Sequence, residues 1–155
     1  MVGAHTDAVL FETHLLDHHR QQRTGRVVLP LRSDEDVVGL RKQVRERAVA
    51  IALSLVDQTK LVTAASELAR NTIKYGGGGE VHLDALDDGV RKGIGLLFLD
   101  AGQGIPDIDG ALRDGYTTGG GLGLGLGGSK RLVDEFDIDS RPKEGTAVLI
   151  VKWKR

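Results

Sequence analysis

Gly93-Ile-Gly-Leu-Leu-Phe-Leu-Asp-Ala-Gly-Gln-Gly-Ile-Pro106 decides how the rest of the chain is read. Its first part, Gly93–Leu99, is nearly all apolar, as a central strand buried on both faces would be. Asp100 ends the run, and two glycines spaced by one residue follow at Gly102 and Gly104. A carboxylate accepts hydrogen bonds well, and the exocyclic amine of a purine donates them. Glycines beside it let a flat ring lie against the backbone. Taken alone, the same residues also describe a tight strand-to-helix turn, because glycine and proline dominate turns.

Upstream, Val81, Leu83 and Ala85 alternate with His82 and Asp84, which predicts a strand. The turn Asp87-Asp88-Gly89 joins it to the central run. Two helices precede this pair. Ser33 offers an N-cap with Asp34, Glu35 and Asp36 in the first turn, and Val37, Leu40, Val44, Ala48, Ile51 and Leu55 follow at helical spacing. Asp57 is read as the cap of the second helix, whose stripe is Leu61, Ala64/Ala65, Leu68 and Thr72 and which stops at Gly76–Gly79. Arg26–Leu31 reads as a strand. Met1–Thr24 is a lead in which Val9, Leu10, Phe11, Leu15 and Leu16 form one apolar face of a short helix.

Downstream, Pro106–Asp114 suggests a short helix, Thr117–Gly128 reads as a mobile loop, and Ser129–Phe136 resumes a helical pattern. Asp137–Ser140 and Thr146–Trp153 are two strands around the turn Arg141–Gly145. In the last strand Val148 and Ile150 share one face, and Ala147, Leu149, Val151 and Trp153 the other. Helices followed by strand pairs give an α+β fold. The expected architecture is a two-layer sandwich of a mostly antiparallel mixed sheet with helices on one face.

Composition bounds the function. The 155 residues fit one domain, and a chain of that length hides roughly 70% of its unfolded surface. A net charge of −1 gives no footprint for a nucleic-acid backbone. Without cysteine there is no thiolate chemistry, and the natural reading is a reducing cytoplasm. No apolar run approaches the roughly 20 residues that span a bilayer. The lead, with His5, Glu12 and His14 among its apolar residues, does not read as a signal peptide. His14 and His18 have ligand spacing, but only Asp17 joins His14, His18 and His19 as an acidic donor, so a metal site there is disfavoured.

Glu67 and Asn71 lie four apart on the second helix and share a face. Asn71 offers magnesium a neutral oxygen, Glu67 a proton acceptor, and Lys74 a point charge for phosphate. Read on their own, they are also an ordinary solvated face. Gly119-Gly-Gly-Leu-Gly-Leu-Gly-Leu-Gly-Gly128 runs into a helix, where free backbone N–H groups and absent side chains suit an anion. A flexible linker is the rival reading, although linkers usually mix serine with glycine and lack regularly spaced leucines. The spacing Gly123-x-Gly-x-x-Gly128 matches a dinucleotide fingerprint but lacks the preceding strand, and Ser129-Lys130 has the wrong order for a Walker A loop.

The order and spacing of these motifs resemble the GHKL ATPase family: Glu67–Asn71 its N box, Asp100-x-Gly102-x-Gly104 its first glycine box, Gly119–Gly128 its lid and second glycine box, and Gly145-Thr146 its Gly-Thr pair. Ser66–Asn71, Gln103–Asp107, Asp114–Gly119, Lys130–Phe136 and Lys152–Arg155 are similar to the RsbT-type switch-protein serine kinases, over about residues 25 to 155. The resemblance divides the chain into an N-terminal extension, 1–24, and an ATP-binding kinase domain, 25–155. It implies ATP and Mg2+ as cofactors. Asp100, with Thr146 through water, would recognise adenine, and Asn71 would hold magnesium. Glu67 would be the catalytic base. Gly102 and Gly104 would line the base, and Gly121, Gly123, Gly125 and Gly127 would close on the phosphates. Lys74 is better matched by the Asn-x-x-Lys-Tyr of histidine kinases. The implied activity is serine/threonine phosphorylation of an anti-sigma-factor antagonist of STAS type in a partner-switching stress pathway, with a phosphatase as second partner. A module that sequesters a sigma factor is the alternative. A homodimer through the lead is a further reading. Three features depart from the pattern: the long lead, the extra glycine in Tyr75–Gly79, and Leu124 and Gly127 in the lid.

Overall fold

A computed structural model describes residues 23–113 and 125–155 of the chain. The lead helix, His14, His18, His19, Gly121, Gly123 and most of the glycine loop lie outside the described residues. The elements run β1 (Arg23–Leu31), α1 (Asp34–Ala50), α2 (Leu55–Lys74), β2 (Gly79–Asp87), β3 (Lys92–Asp100), α3 (Ile108–Ala111), α4 (Gly125–Arg131), β4 (Glu135–Arg141) and β5 (Gly145–Trp153). The strands form one sheet in the order β1-β2-β3-β5-β4, and each of these pairings is antiparallel. The α+β sandwich is therefore as expected, with no parallel pair among the described residues. β1 opens at Arg23, two residues before the expected domain start.

Periodicity explains the layers. Val37, Leu40, Val44 and Ala48 bury one stripe of α1, and Leu61, Ala64, Ala65, Leu68 and Thr72 one stripe of α2. They pack on Val81 and Leu83 of β2, Ile94, Leu96 and Phe98 of β3, and Val148 and Ile150 of β5. Each fully buried aliphatic side chain contributes about 1.5–3 kcal/mol. β3 is buried along nearly its whole length, as its apolar sequence requires.

Two boundaries differ from the sequence reading. α1 stops at Ala50 rather than running on to Leu55, because Ala52 turns at φ 59° and Ser54 starts a new helix. Ser54, not Asp57, is the cap: its Oγ accepts the Asp57 N–H at 3.1 Å. Asp57 sits in the first turn, and its carboxylate meets the buried Lys152 ammonium at 3.4 Å. The second difference is at Ser129–Phe136. α4 occupies Gly125–Arg131, and Glu135 and Phe136 already belong to β4. Alternation wins there, since Phe136 and Ile138 both reach the helix-side core.

Candidate active site

Asp100 is the last residue of β3, and it lies opposite Thr146 across the β3–β5 ladder. Both are buried, Asp100 to 8% exposure. One carboxylate oxygen accepts the Gly102 N–H at 2.9 Å. Burial pushes the carboxyl of Asp100 up from its ordinary range, against the opposing pull of the Gly102 and Thr146 N–H groups. A carboxylate kept in so poor a solvent has reason to exist only if a donor comes to it. Glycines make room for one. A Cβ on Gly76 would lie 2.6 Å from Asp100 Oδ2, and one on Gly102 would lie 2.7 Å from the Gly76 Cα. The wall facing the carboxylate is thus bare backbone. Gly145, at φ 125°, packs its α-carbon against the backbone of Asp100 and Ala101, which fixes the ladder beside the acid.

α2 delivers the second group. Glu67 and Asn71 are half-buried and one turn apart, on the helix whose C-terminal end runs into Gly76. Glu67 Oε1 accepts the N–H of Gly125, the first residue of α4, at 3.3 Å. Glu67 is thereby placed beside the end of the glycine loop, and its second oxygen makes no hydrogen bond to another described residue. The Asn71 side chain likewise makes none among the described residues.

The geometry therefore joins Asp100, Gly102 and Thr146 at the sheet end, Glu67 and Asn71 on the adjoining helix, and Gly125 next to Glu67. The family model for the histidine kinase-, DNA gyrase B-, and HSP90-like ATPases matches residues 56–155. The chain belongs to this ATPase family. It is 43% identical over 120 residues to the serine/threonine-protein kinase RsbT of Bacillus subtilis, which covers 77% of this chain and 90% of that protein. It is 32% identical over 102 residues to the anti-sigma F factor of Bacillus licheniformis, covering 61% of this chain and 68% of the relative. Among solved structures, a Mycobacterium tuberculosis protein with RsbU and RsbW domains superposes with a TM-score of 0.59 at 20% identity. That match takes in 85% of this chain and 33% of the longer one, and shows the shared fold.

As an ATPase-family site, the arrangement fits a purine at Asp100: a buried acceptor in a cradle that a single methyl group would fill. Magnesium has a thinner protein shell. Among the described residues no group of three or more His, Asp or Glu gathers as a metal cage, so Asn71 fits the habit of Mg2+ to take few protein ligands and rely on phosphate and water. Lys74 is exposed, with its ammonium 5.2 Å from the Tyr75 ring centroid. Two glycines expected at the ligand also have packing reasons. Gly104, at φ 81°, abuts Arg141 at the end of β4, where a Cβ would lie 2.5 Å from the carbonyl oxygen. Gly127 lets α4 approach Leu112 after α3, where an added Cβ would lie 3.0 Å from the carbonyl carbon.

Two residues of this arrangement escape the sequence reading. Gly76 looked like part of a helix stop, yet it forms the wall facing Asp100. Ser140 carried no signal at all. Its Oγ accepts the Ile105 N–H at 2.7 Å and lies 2.8 Å from Thr146 Oγ1, so it ties the loop after Asp100 to the threonine opposite. The surplus of glycine at 76–79, noted as a departure, was the available clue for the first.

Proposed function

We propose that the chain is a cytoplasmic Mg-ATP-dependent serine/threonine protein kinase of a partner-switching stress-response pathway. Its substrate is a serine or threonine hydroxyl on an anti-sigma-factor antagonist of STAS type, and a phosphatase is its second partner. The observation that carries this reading is the bare-backbone cradle around buried Asp100, in a chain 43% identical to a serine/threonine kinase along 90% of that relative's length.

In this reading Asp100 accepts a hydrogen bond from the adenine amine, with Thr146 beside it. Gly102 and Gly76 keep side chains out of the ring's path. Asn71 gives one oxygen to magnesium, which neutralises phosphate charge when bound. Glu67 keeps one oxygen on the Gly125 N–H and has the other for the proton of the attacking hydroxyl. The hydroxyl oxygen bonds to the γ-phosphorus, the bond from that phosphorus to the β–γ bridging oxygen breaks, and ADP leaves. Such transfer depends mainly on positioning and charge stabilisation. The added phosphate brings about −1.5 to −2 charges, enough to break a close-packed interface with the product.

The test is phosphotransfer from labelled ATP to an antagonist protein. Glu67→Ala is expected to keep nucleotide affinity and to lose about 10²–10⁴ in rate. A wild-type rate in that variant would put the base elsewhere. The 32% identity to an anti-sigma F factor favours one rival, a sigma-sequestering module. A wild-type chain that transfers no phosphate but holds a sigma factor in a stable complex would decide for it.

A further inference from the structure

Asp100, Thr146 and Ser140 form one row across three strands. Asp100 lies opposite Thr146 in the β3–β5 ladder, and Thr146 lies opposite Ser140 in the β4–β5 ladder. Residues directly opposite one another send their side chains to the same face of a sheet. All three therefore leave it on the helix side, with Val148 and Ile150 of β5 and Ile138 of β4.

The Ser140 hydroxyl has one proton to give and two lone pairs to receive with. One lone pair takes the Ile105 N–H at 2.7 Å. The proton has two destinations, Thr146 Oγ1 at 2.8 Å and the Gly145 carbonyl oxygen at 3.3 Å. Hydroxyl donors favour about 2.7–2.8 Å and weaken beyond about 3.0 Å, so the proton goes to Thr146. Thr146 Oγ1 thus receives on the Ser140 side, and its own proton is left for the other side, where Asp100 stands. The place of Ser140 is itself fixed from the loop. Lys143, at φ 65°, donates its N–H to the Gln103 carbonyl oxygen at 2.8 Å. With the Ile105 bond to Ser140, the β4–β5 hairpin grips the loop on both sides of Gly104.

If Asp100 accepts the adenine amine, as in the function proposed above, the ring atom next to that amine group is N1. It is a lone pair in adenine and an N–H in guanine. A hydroxyl that donates, directly or through one water, suits the first and opposes the second. We propose that Ser140 is a positioning residue for the nucleotide base. By giving its proton to Thr146 it holds the Thr146 hydroxyl as a donor toward purine N1. Adenine is then selected at its ring nitrogen from β4, as it is at its amine from β3. This inference rests on the ATP reading of the site, and Ser140 acts only through Thr146.

The experiment is titration calorimetry of the full chain with ATP and with 1-deaza-ATP, which keeps the amine and carries C–H in place of N1. The wild type should bind ATP about 2- to 10-fold more tightly, the worth of one neutral hydrogen bond. In Ser140→Ala that ratio should shrink by about half or more, since water entering beside the methyl group can take the Thr146 proton. Ser140→Thr keeps the hydroxyl and should restore it. In Thr146→Val the ratio should be close to one, and adding Ser140→Ala should leave it there. If Ser140→Ala does not fold, Ser140→Cys, whose thiol is a weak donor, is read the same way. A loop that merely loosens lowers both affinities together and leaves their ratio as it was. A wild-type ratio in Ser140→Ala therefore overturns the proposal. So does a ratio near one in the wild type, which leaves ATP binding standing. A full chain that binds neither nucleotide overturns the ATP reading itself, and this inference with it.

Discussion

Asp100→Asn keeps the shape of the side chain and removes its charge. The asparagine oxygen can still accept the Gly102 N–H that Asp100 accepts at 2.9 Å. The other atom becomes an amide NH2, which presents donors where the adenine amine also donates. Loss of a hydrogen bond to a charged acceptor costs about 1.5–3 kcal/mol, and ATP affinity should fall by about 10- to 150-fold. Stability should move the other way. Burial raises the folded-state pKa of Asp100 above the ordinary aspartate value. The folded state therefore holds the proton more tightly than the unfolded chain. This group's contribution to stability is best below the unfolded aspartate pKa and declines as pH rises through the folded pKa. At neutral pH the ionised carboxylate is a burden that asparagine relieves. Titration calorimetry with ATP, paired with a thermal melt at pH 7, gives both readings. Affinity reduced with Tm unchanged or raised is the expected pair. Unchanged affinity would refute the adenine contact, and reduced affinity with a falling Tm would show that Asp100 is a structural residue.

Gly76→Ala should cut ATP affinity at least tenfold, because the new Cβ would stand 2.6 Å from Asp100 Oδ2, far inside contact distance. Calorimetry showing wild-type affinity would remove Gly76 from the site. Asn71→Ala should weaken ATP in magnesium and leave binding in EDTA nearly unchanged; equal losses in both would end the metal role. Asp134→Asn tests the far end of the sheet. Burial raises the Asp134 carboxyl, but hydrogen bonds from the Trp153 N–H and Arg155 and the charges of Lys152 and Arg155 outweigh it, and the net shift is downward. Its contribution is therefore present above the unfolded pKa and lost as pH falls through the folded value. Melts should show the variant less stable at pH 7 and the gap closing in acid; a gap that does not narrow as pH falls would place the effect in packing.

The strands were legible because a period of two survives without tertiary help. Val148 and Ile150 on one side of β5, and Ala147, Leu149, Val151 and Trp153 on the other, divide as the alternation requires. Helix ends were less legible. Leu55 continues the spacing of α1 although it is 71% exposed in the next helix, and Asp57 competes on paper with Ser54 as a cap. Asp100 announced itself as a charge at the end of an apolar strand. Gly76 and Ser140 did not, since each acts through a contact with a residue distant in the chain: Gly76 with Asp100, Ser140 with Ile105. Composition and periodicity hold no record of such pairs until the fold closes.

The strand order has a kinetic consequence. β2 with β3 and β4 with β5 are local hairpins, but β3 meets β5 only when the chain between them is looped back. Closing that loop costs entropy before the contact rewards it. Asp100 belongs to one hairpin and Thr146 to the other. On the proposed reading, in which these two residues hold adenine, a nucleotide finds its floor only after the hairpins have zipped, and it binds the finished state alone. Saturating ATP should act as a lock on unfolding, slowing the rate at which the two hairpins part while leaving the rate of refolding almost untouched.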